Sequence, residues 1–80
     1  MKVTIVKEDG LVIVNGIAQL GLDLSALDSS FRALQWGGES GDLEEVFSGL
    51  PVNTEVTSLT PYQWCIDLWQ VATDAANSAE

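Results

Sequence analysis

Residues 3–14 read VTIVKEDGLVIV, and this stretch carries the strongest local structural signal in the sequence. Two runs of mostly β-branched residues flank Asp9-Gly10, a dipeptide that favours the type I′ turn of a tight β-hairpin. Such a turn pairs Ile5 with Val14, and successive pairs point to opposite faces of the sheet. The stretch therefore predicts an antiparallel hairpin with apolar side chains on both faces.

The next segment extends this hairpin into a meander. Asn15-Gly16 repeats the turn chemistry after one short strand, so residues 17–20 are predicted to fold back as a third strand. Residues 22–30 follow and are rich in Asp and Ser, which favour turns. Their leucines are expected to cover the core from a turn or short helix; they are Leu22, Leu24 and Leu27.

A second hairpin is predicted in the middle of the chain. Residues 31–36 and 42–47 alternate like strands, and the glycine-rich stretch 37–41 between them favours a chain reversal. Residues 55–57 could form a further short strand, whereas Pro51 argues against a central strand in this region. Alternation places Arg32, Leu34 and Trp36 on one side of the first strand of this hairpin and Phe31, Ala33 and Gln35 on the other.

The C-terminal segment carries the signals of a helix start. Thr60 is predicted as the N-cap, Pro61 as the first helical residue, and Gln63 as the residue that completes a capping box. No proline or glycine interrupts the chain after Pro61, and the end of the segment is rich in alanine. A helix is therefore predicted over residues 60–77.

These elements together predict the fold class. One α+β domain is expected over residues 1–80, mainly β over 1–58 and helical over 60–77. Its small antiparallel β-sheet, a meander plus a second hairpin, is predicted to pack against the one C-terminal α-helix. Eighty residues leave no room for a second domain.

The predicted helix has more apolar surface than one small sheet can cover. A first stripe is assigned to the core: Tyr62, Cys65, Ile66, Trp69, Ala72 and Ala76. A second stripe beside it is predicted to form a protein-protein interface: Trp64, Leu68, Val71 and Ala75. The alternative is that the segment 48–58 folds under the second stripe and covers it within the domain.

The composition argues against several classes of function. Twelve acidic residues against three basic ones give a net charge of −9, which disfavours binding to nucleic acid or to an anionic membrane. Histidine is absent and Cys65 is the only cysteine, so no catalytic residue, metal site or cofactor is predicted, and no enzymatic activity. Cys65 is interpreted as a buried structural thiol. The acidic residues around the glycine-rich loop are interpreted as a solvated hairpin tip; they are Glu39, Asp42, Glu44 and Glu45.

Residues 33–44 read ALQWGGESGDLE and resemble the Ala-Leu/Val-Gln-Trp, Gly, Gly, Ile/Leu-Glu core of small tailed-bacteriophage proteins encoded among tail and tail-fibre genes. The segments VNG at 14–16 and LDLSAL at 22–27 are similar to a strand, a turn and a leucine-containing segment of that family. Pro61-Tyr62-Gln63, with Asp67 and Trp69, is similar to its terminal helix, so the resemblance extends over residues 11 to about 72. Many relatives continue into a long Ala/Glu/Lys-rich helical tail, whereas this sequence ends at Glu80.

The resemblance implies a virion or assembly role and brings no known catalytic residue with it. We therefore expect a non-enzymatic bacteriophage structural or assembly protein that contacts another virion or tail protein, or a second copy of itself. The charge suggests an alternative, a phage-encoded acidic inhibitor that mimics nucleic acid in the basic groove of a host defence or DNA-binding protein. No signal peptide is recognised, so the expected location is the host bacterial cytoplasm during assembly, with the virion as a second candidate.

Overall fold

A computed structural model of the protein describes residues 1–78, which form a six-stranded antiparallel sheet with one α-helix packed on one face. The α+β fold predicted from the sequence is confirmed. The strands run in the order β3-β2-β1-β4-β5-β6, so that β3 and β6 are the two edges. The elements are β1 (Val3–Val6), β2 (Leu11–Val14), β3 (Ile17–Gln19), β4 (Phe31–Trp36), β5 (Gly41–Phe47), β6 (Leu50–Val56) and α1 (Gln63–Ser78), with a 3-10 turn over Thr60–Tyr62 before the helix.

The first hairpin forms, but with a longer turn than predicted. Val6 pairs with Leu11, so the loop contains residues 7–10 instead of Asp9-Gly10 alone. Gly10 has a φ of 59° and is held from both sides, since its N–H donates to the Lys7 carbonyl at 3.1 Å and its carbonyl accepts from the Leu22 N–H at 3.0 Å. Ile5 therefore pairs with Val12 instead of the predicted Val14, a shift of two residues. Because side chains along a strand alternate between the faces with a period of two, every side chain stays on its predicted face.

The meander predicted after this hairpin is present. Asn15 and Gly16 have φ values of 50° and 85°, which is the conformation of the two central residues of a type I′ turn. Val14 therefore pairs directly with Ile17 at the start of β3. In the segment after β3, Leu24 and Leu27 are buried in the core, in the role expected of them, while Leu22 packs partly buried against it.

Strand β4 contains a β-bulge that strict alternation does not predict. Phe31 pairs with Glu45, whereas Ala33 pairs with Glu44, so Arg32 is the extra residue. Because of this shift, Phe31 joins Leu34 in the core, and the predicted placement of these two side chains on opposite faces is wrong.

Strand β6 is longer than the short strand predicted over residues 55–57. Ser48 and Gly49 have φ values of 53° and 80° and form a second type I′ turn, which pairs Phe47 with Leu50 and starts β6 there. Pro51 lies within this strand and pairs with Val46. The strand tolerates proline because it is an edge strand, so the prediction that no central strand passes through Pro51 holds.

The start of the helix differs from the predicted capping box. A 3-10 turn precedes α1, and the N–H of Gln63 donates to the backbone carbonyl of Thr60 instead of to its hydroxyl. The Thr60 hydroxyl accepts from the Ser58 hydroxyl at 3.0 Å, and the Gln63 side chain donates to Asp67 at 3.2 Å. The capping box is therefore absent, because the backbone satisfies the N–H group that the box was expected to satisfy.

Two glycines with positive φ allow a matched test of the first turn. A Cβ on Gly10 would lie 2.7 Å from the Leu22 carbonyl oxygen, whereas a Cβ on Gly16 meets no atom within 4 Å. Gly16→Ala is expected to cost about 1 kcal/mol in free energy of unfolding from backbone strain alone. Gly10→Ala adds the cost of overlap and is expected to reach about 2–4 kcal/mol. Urea denaturation of both variants measures the difference, and equal values would show that Leu22 does not close on this turn.

Candidate protein-binding surface

The core face of α1 is the predicted one in the first half of the helix, whereas Ala76, which was also assigned to the core, is exposed. Cys65, Ile66 and Trp69 are buried against the sheet. The indole N–H of Trp69 donates to the Ile17 carbonyl at 2.8 Å, and the Gln19 side chain donates to the Thr73 hydroxyl at 3.3 Å. The helix is thus fastened to edge strand β3 by two hydrogen bonds in addition to its apolar contacts.

The four residues predicted to form an interface on α1 lie in two different environments. Trp64 and Leu68 are half-buried and pack against the core. Val71 is 68% exposed, and Ala75 is exposed as well. In the segment 48–58, which the alternative folds under the stripe, residues 50–56 form edge strand β6. Val56 is the residue of this strand that packs against the core.

Trp64 borders a surface depression between the start of the helix and the middle of the sheet. Leu43 and Glu45 of β5 line the same depression, together with Phe31 and Tyr62. The rings of Phe31 and Tyr62 lie 5.7 Å apart and are tilted by 51°, a favourable aromatic arrangement. The depression is therefore lined by apolar and aromatic residues together with two acidic ones, Asp28 and Glu45.

A hydrogen bond and two negative charges set the polar properties of this depression. The Ser30 hydroxyl donates to Glu45 at 2.9 Å, which fixes the carboxylate beside Tyr62. Burial raises the pKa of the Tyr62 phenol, and the negative charges of Glu45 and Asp28 raise it further. Tyr62 is thus a neutral hydrogen-bonding group at physiological pH, as is usual for tyrosine at a binding surface.

Beyond the depression, the β5–β6 hairpin exposes an apolar surface, which we call the hairpin patch. It consists of Phe47, Leu50 and Val52, which are 50%, 68% and 42% exposed. Phe47 follows Leu43 and Glu45 at alternate positions along β5, and Leu50 is its cross-strand partner. The hairpin patch therefore lies on the same sheet face as the core and continues from the depression towards the β5–β6 turn.

The hairpin patch was not predicted from the sequence. The available signal was Ser48-Gly49, a dipeptide that can supply the two positive φ values of a tight hairpin turn. With that turn in place, alternation along residues 50–56 puts Leu50 and Val52 on one face, beside Phe47. Pro51 obscured this pattern, because a proline lowers the expectation of a strand.

The opposite face of the same hairpin is acidic. Asp42 pairs with Glu55 and Glu44 pairs with Asn53, so these three carboxylates lie on the face away from the core. Within residues 1–78, Arg32 is the one cation that forms an ion pair with them, at 3.9 Å from Glu44, and both side chains are exposed. Lys2 lines a shallow pocket with Asp42 and Glu55 without forming an ion pair. The exposed pair of Arg32 and Glu44 neutralises little of the local field, so the hairpin keeps a negative face.

The described residues 1–78 contain no group of three or more His, Cys, Asp or Glu side chains placed to hold a metal ion.

Cys65 is fully buried, and desolvation raises the pKa of its thiol from the ordinary 9.0 to about 11. At neutral pH the thiol is therefore protonated and a poor nucleophile. Asp23 accepts hydrogen bonds from the Ser25 hydroxyl at 2.6 Å and from the Ser25 N–H at 3.1 Å, which lower its pKa as expected for a local turn.

Comparison of the chain with known protein families, with curated proteins and with solved structures finds no match. In the part of the chain that the structure describes, no helix has the length and apolar character needed to cross a bilayer.

The environment of Cys65 predicts slow modification. Alkylation by iodoacetamide at pH 8 should proceed roughly a hundredfold or more slowly in the native protein than in urea, because the thiol must become exposed and ionised first. The neutral thiol favours the folded state below about pH 9, and this contribution is lost as pH rises towards about 11. Mass spectrometry of alkylated protein against time gives both rates. Equal rates in the two conditions would contradict the buried position.

Trp69 and Val71 test which face of α1 is buried and which is exposed. Trp69 is 8% exposed and Val71 is 68% exposed. Trp69→Glu is expected to unfold the domain, since it would bury a carboxylate without a partner and remove the bond to Ile17. Val71→Glu is expected to change stability by about 0.5 kcal/mol or less. Circular dichroism during thermal unfolding distinguishes the two variants, and loss of the folded state in both would show that Val71 is covered.

Proposed function

We propose that this protein is a non-enzymatic binding module that acts through protein-protein contacts as a structural or assembly component of a tailed bacteriophage. The observation that carries the proposal is the hairpin patch, in which the apolar residues Phe47, Leu50 and Val52 lie side by side and are 42–68% exposed. Contiguous exposed apolar residues with a charged surround are typical of protein-binding surfaces. Burial of these side chains is favourable only when a partner covers them.

The depression at Trp64 extends this proposed surface. Leu43 links the two regions, because it lines the depression and shares its sheet face with Phe47. An aromatic side chain such as Trp64, already half-buried and held in place by the core, loses little conformational entropy when a partner covers it. The stripe of Trp64, Leu68, Val71 and Ala75 stays a prediction for a contact, and Val71 and Ala75 are its exposed members.

The bacteriophage part of the proposal rests on the sequence resemblance of residues 33–44 and of the flanking segments. The proposed partner is another virion or tail protein, or a second copy of the chain. The proposed place of action is the host cytoplasm during assembly, and the protein is proposed to stay in the virion if its partner does.

An acidic inhibitor of a host DNA-binding or defence protein is the second candidate. The observation in its favour is the net charge of −9 combined with the row of Asp42, Glu44 and Glu55 on one face of the hairpin. A nucleic-acid mimic of this kind loses affinity steeply as salt rises, whereas apolar contacts change little. The salt dependence of binding to a purified partner therefore separates the two candidates.

Two leucines of nearly equal exposure test the proposed surface. Leu50 in the hairpin patch is 68% exposed, and Leu20 after β3 is 70% exposed. Leu50→Asp in the phage that encodes the protein is expected to lower particle yield or incorporation at least about tenfold, because a carboxylate cannot be desolvated at the contact. Leu20→Asp is the matched control and should leave both unchanged.

Particle yield, quantitative mass spectrometry of purified particles and circular dichroism of both variants complete the measurement. Both variants are expected to fold, since exposed substitutions typically change stability by about 0.5 kcal/mol or less. Equal yield and incorporation for Leu50→Asp and the parent would contradict the proposed role of the hairpin patch.

A further inference from the structure

The outer edge of β6 presents backbone groups to solvent. Within residues 1–78, β6 pairs only with β5. The N–H of Val46 donates to the Ser30 carbonyl at 2.8 Å, so the backbone of Val46 points towards the β4 side, away from β6. Val46 and its partner Pro51 are therefore a pair without mutual hydrogen bonds, and alternate residues of β6 share the direction of Pro51.

Three residues of β6 consequently direct their backbone outward: Pro51, Asn53 and Glu55. Proline has no N–H, so it costs the β5–β6 ladder nothing at this outward position. The outer edge keeps the N–H groups of Asn53 and Glu55 and three carbonyl groups. This is a hydrogen-bonding row long enough to receive one more strand.

The side chains beside this row differ between the two faces. Leu50 and Val52 project on the apolar face, next to Phe47. Glu55 projects on the other face, next to Asp42 and near Glu44. A strand added at this edge meets apolar side chains on one face and carboxylates on the other, so alternating apolar and basic residues complement it.

We propose that the outer edge of β6 binds an extended basic segment of a partner protein as a seventh strand, with its apolar residues on the side of Leu50 and Val52 and its Lys or Arg residues on the side of Glu55. This inference rests on the proposed function and specifies the chemistry of the partner. Backbone hydrogen bonds at Asn53 and Glu55 supply the pairing, and the carboxylates select the charge.

A second copy of this chain is a poorer occupant of the same edge. Each chain carries a net charge of −9, and antiparallel pairing about Asn53 would bring the acidic faces of two hairpins into one sheet. It would also place Pro51 of each copy opposite Glu55 of the other, so that two N–H groups are missing from the ladder. A foreign strand meets only one such gap.

The test uses a fluorescent-labelled synthetic octapeptide of alternating Val and Lys, blocked at both ends, with the whole protein. Fluorescence anisotropy is expected to show saturable binding of this peptide, and none of the matched peptide of alternating Val and Glu. Asn53→Pro removes one outward N–H without touching the β5–β6 ladder and should weaken binding at least about tenfold. Asn53→Thr keeps the N–H and should bind within about twofold of the parent. Circular dichroism confirms that both variants fold.

Several outcomes would overturn the inference. They are equal binding by Asn53→Pro and the parent, binding of the Val-Glu peptide, or no binding of the Val-Lys peptide to the parent. Sedimentation velocity of the protein alone supplies another: a dimer that Asn53→Pro dissociates would identify a second copy as the occupant. If the peptide experiment fails, the phage experiment on Leu50 and Leu20 still tests the proposed function. That experiment depends on apolar side chains and not on the backbone of the β6 edge.

Discussion

The packing of α1 on one face of the sheet is the interaction on which the rest of the structure depends. Cys65, Ile66 and Trp69 supply the buried surface of the helix. The helix packs on β2 and β3 at one side of the sheet, so it leaves part of the face that β5 and β6 present at the other side uncovered. The same face of β5 therefore changes from Leu43, which is 9% exposed, to Phe47, which is 50% exposed.

The sequence predicted the elements of this fold better than their registers. Asn15-Gly16 specifies its turn locally, because both residues accept positive φ. Asp9-Gly10 has the same local preference, yet it lies in a four-residue loop instead of a two-residue turn. In that loop the Gly10 carbonyl accepts a hydrogen bond from the N–H of Leu22, which is distant in sequence. The bulge at Arg32 is likewise non-local, since it brings Phe31 into the core beside the helix. The loop at Gly10 and the bulge at Arg32 both involve contacts between segments distant in sequence, so local sequence patterns do not predict them.

The candidate site was predictable only in part. Helical periodicity identified the buried face that contains Trp69, because an uninterrupted helix repeats regularly. It could not show that Trp64 packs against the core while Val71 stays exposed, since that depends on where the sheet ends beneath the helix. The hairpin patch arises in the same way: Phe47 and Leu50 are ordinary strand residues, and their exposure depends on how much of the sheet the helix covers.

The central claim is that β6 is paired on its inner side and open to a partner on its outer side. Amide hydrogen exchange followed by NMR tests it residue by residue in the free protein. The account predicts alternation, with protected N–H groups at Val52 and Thr54, which face β5, and rapidly exchanging N–H groups at Asn53 and Glu55. Equal protection of all four amides in the free protein would contradict it, because the outer edge would then already be covered.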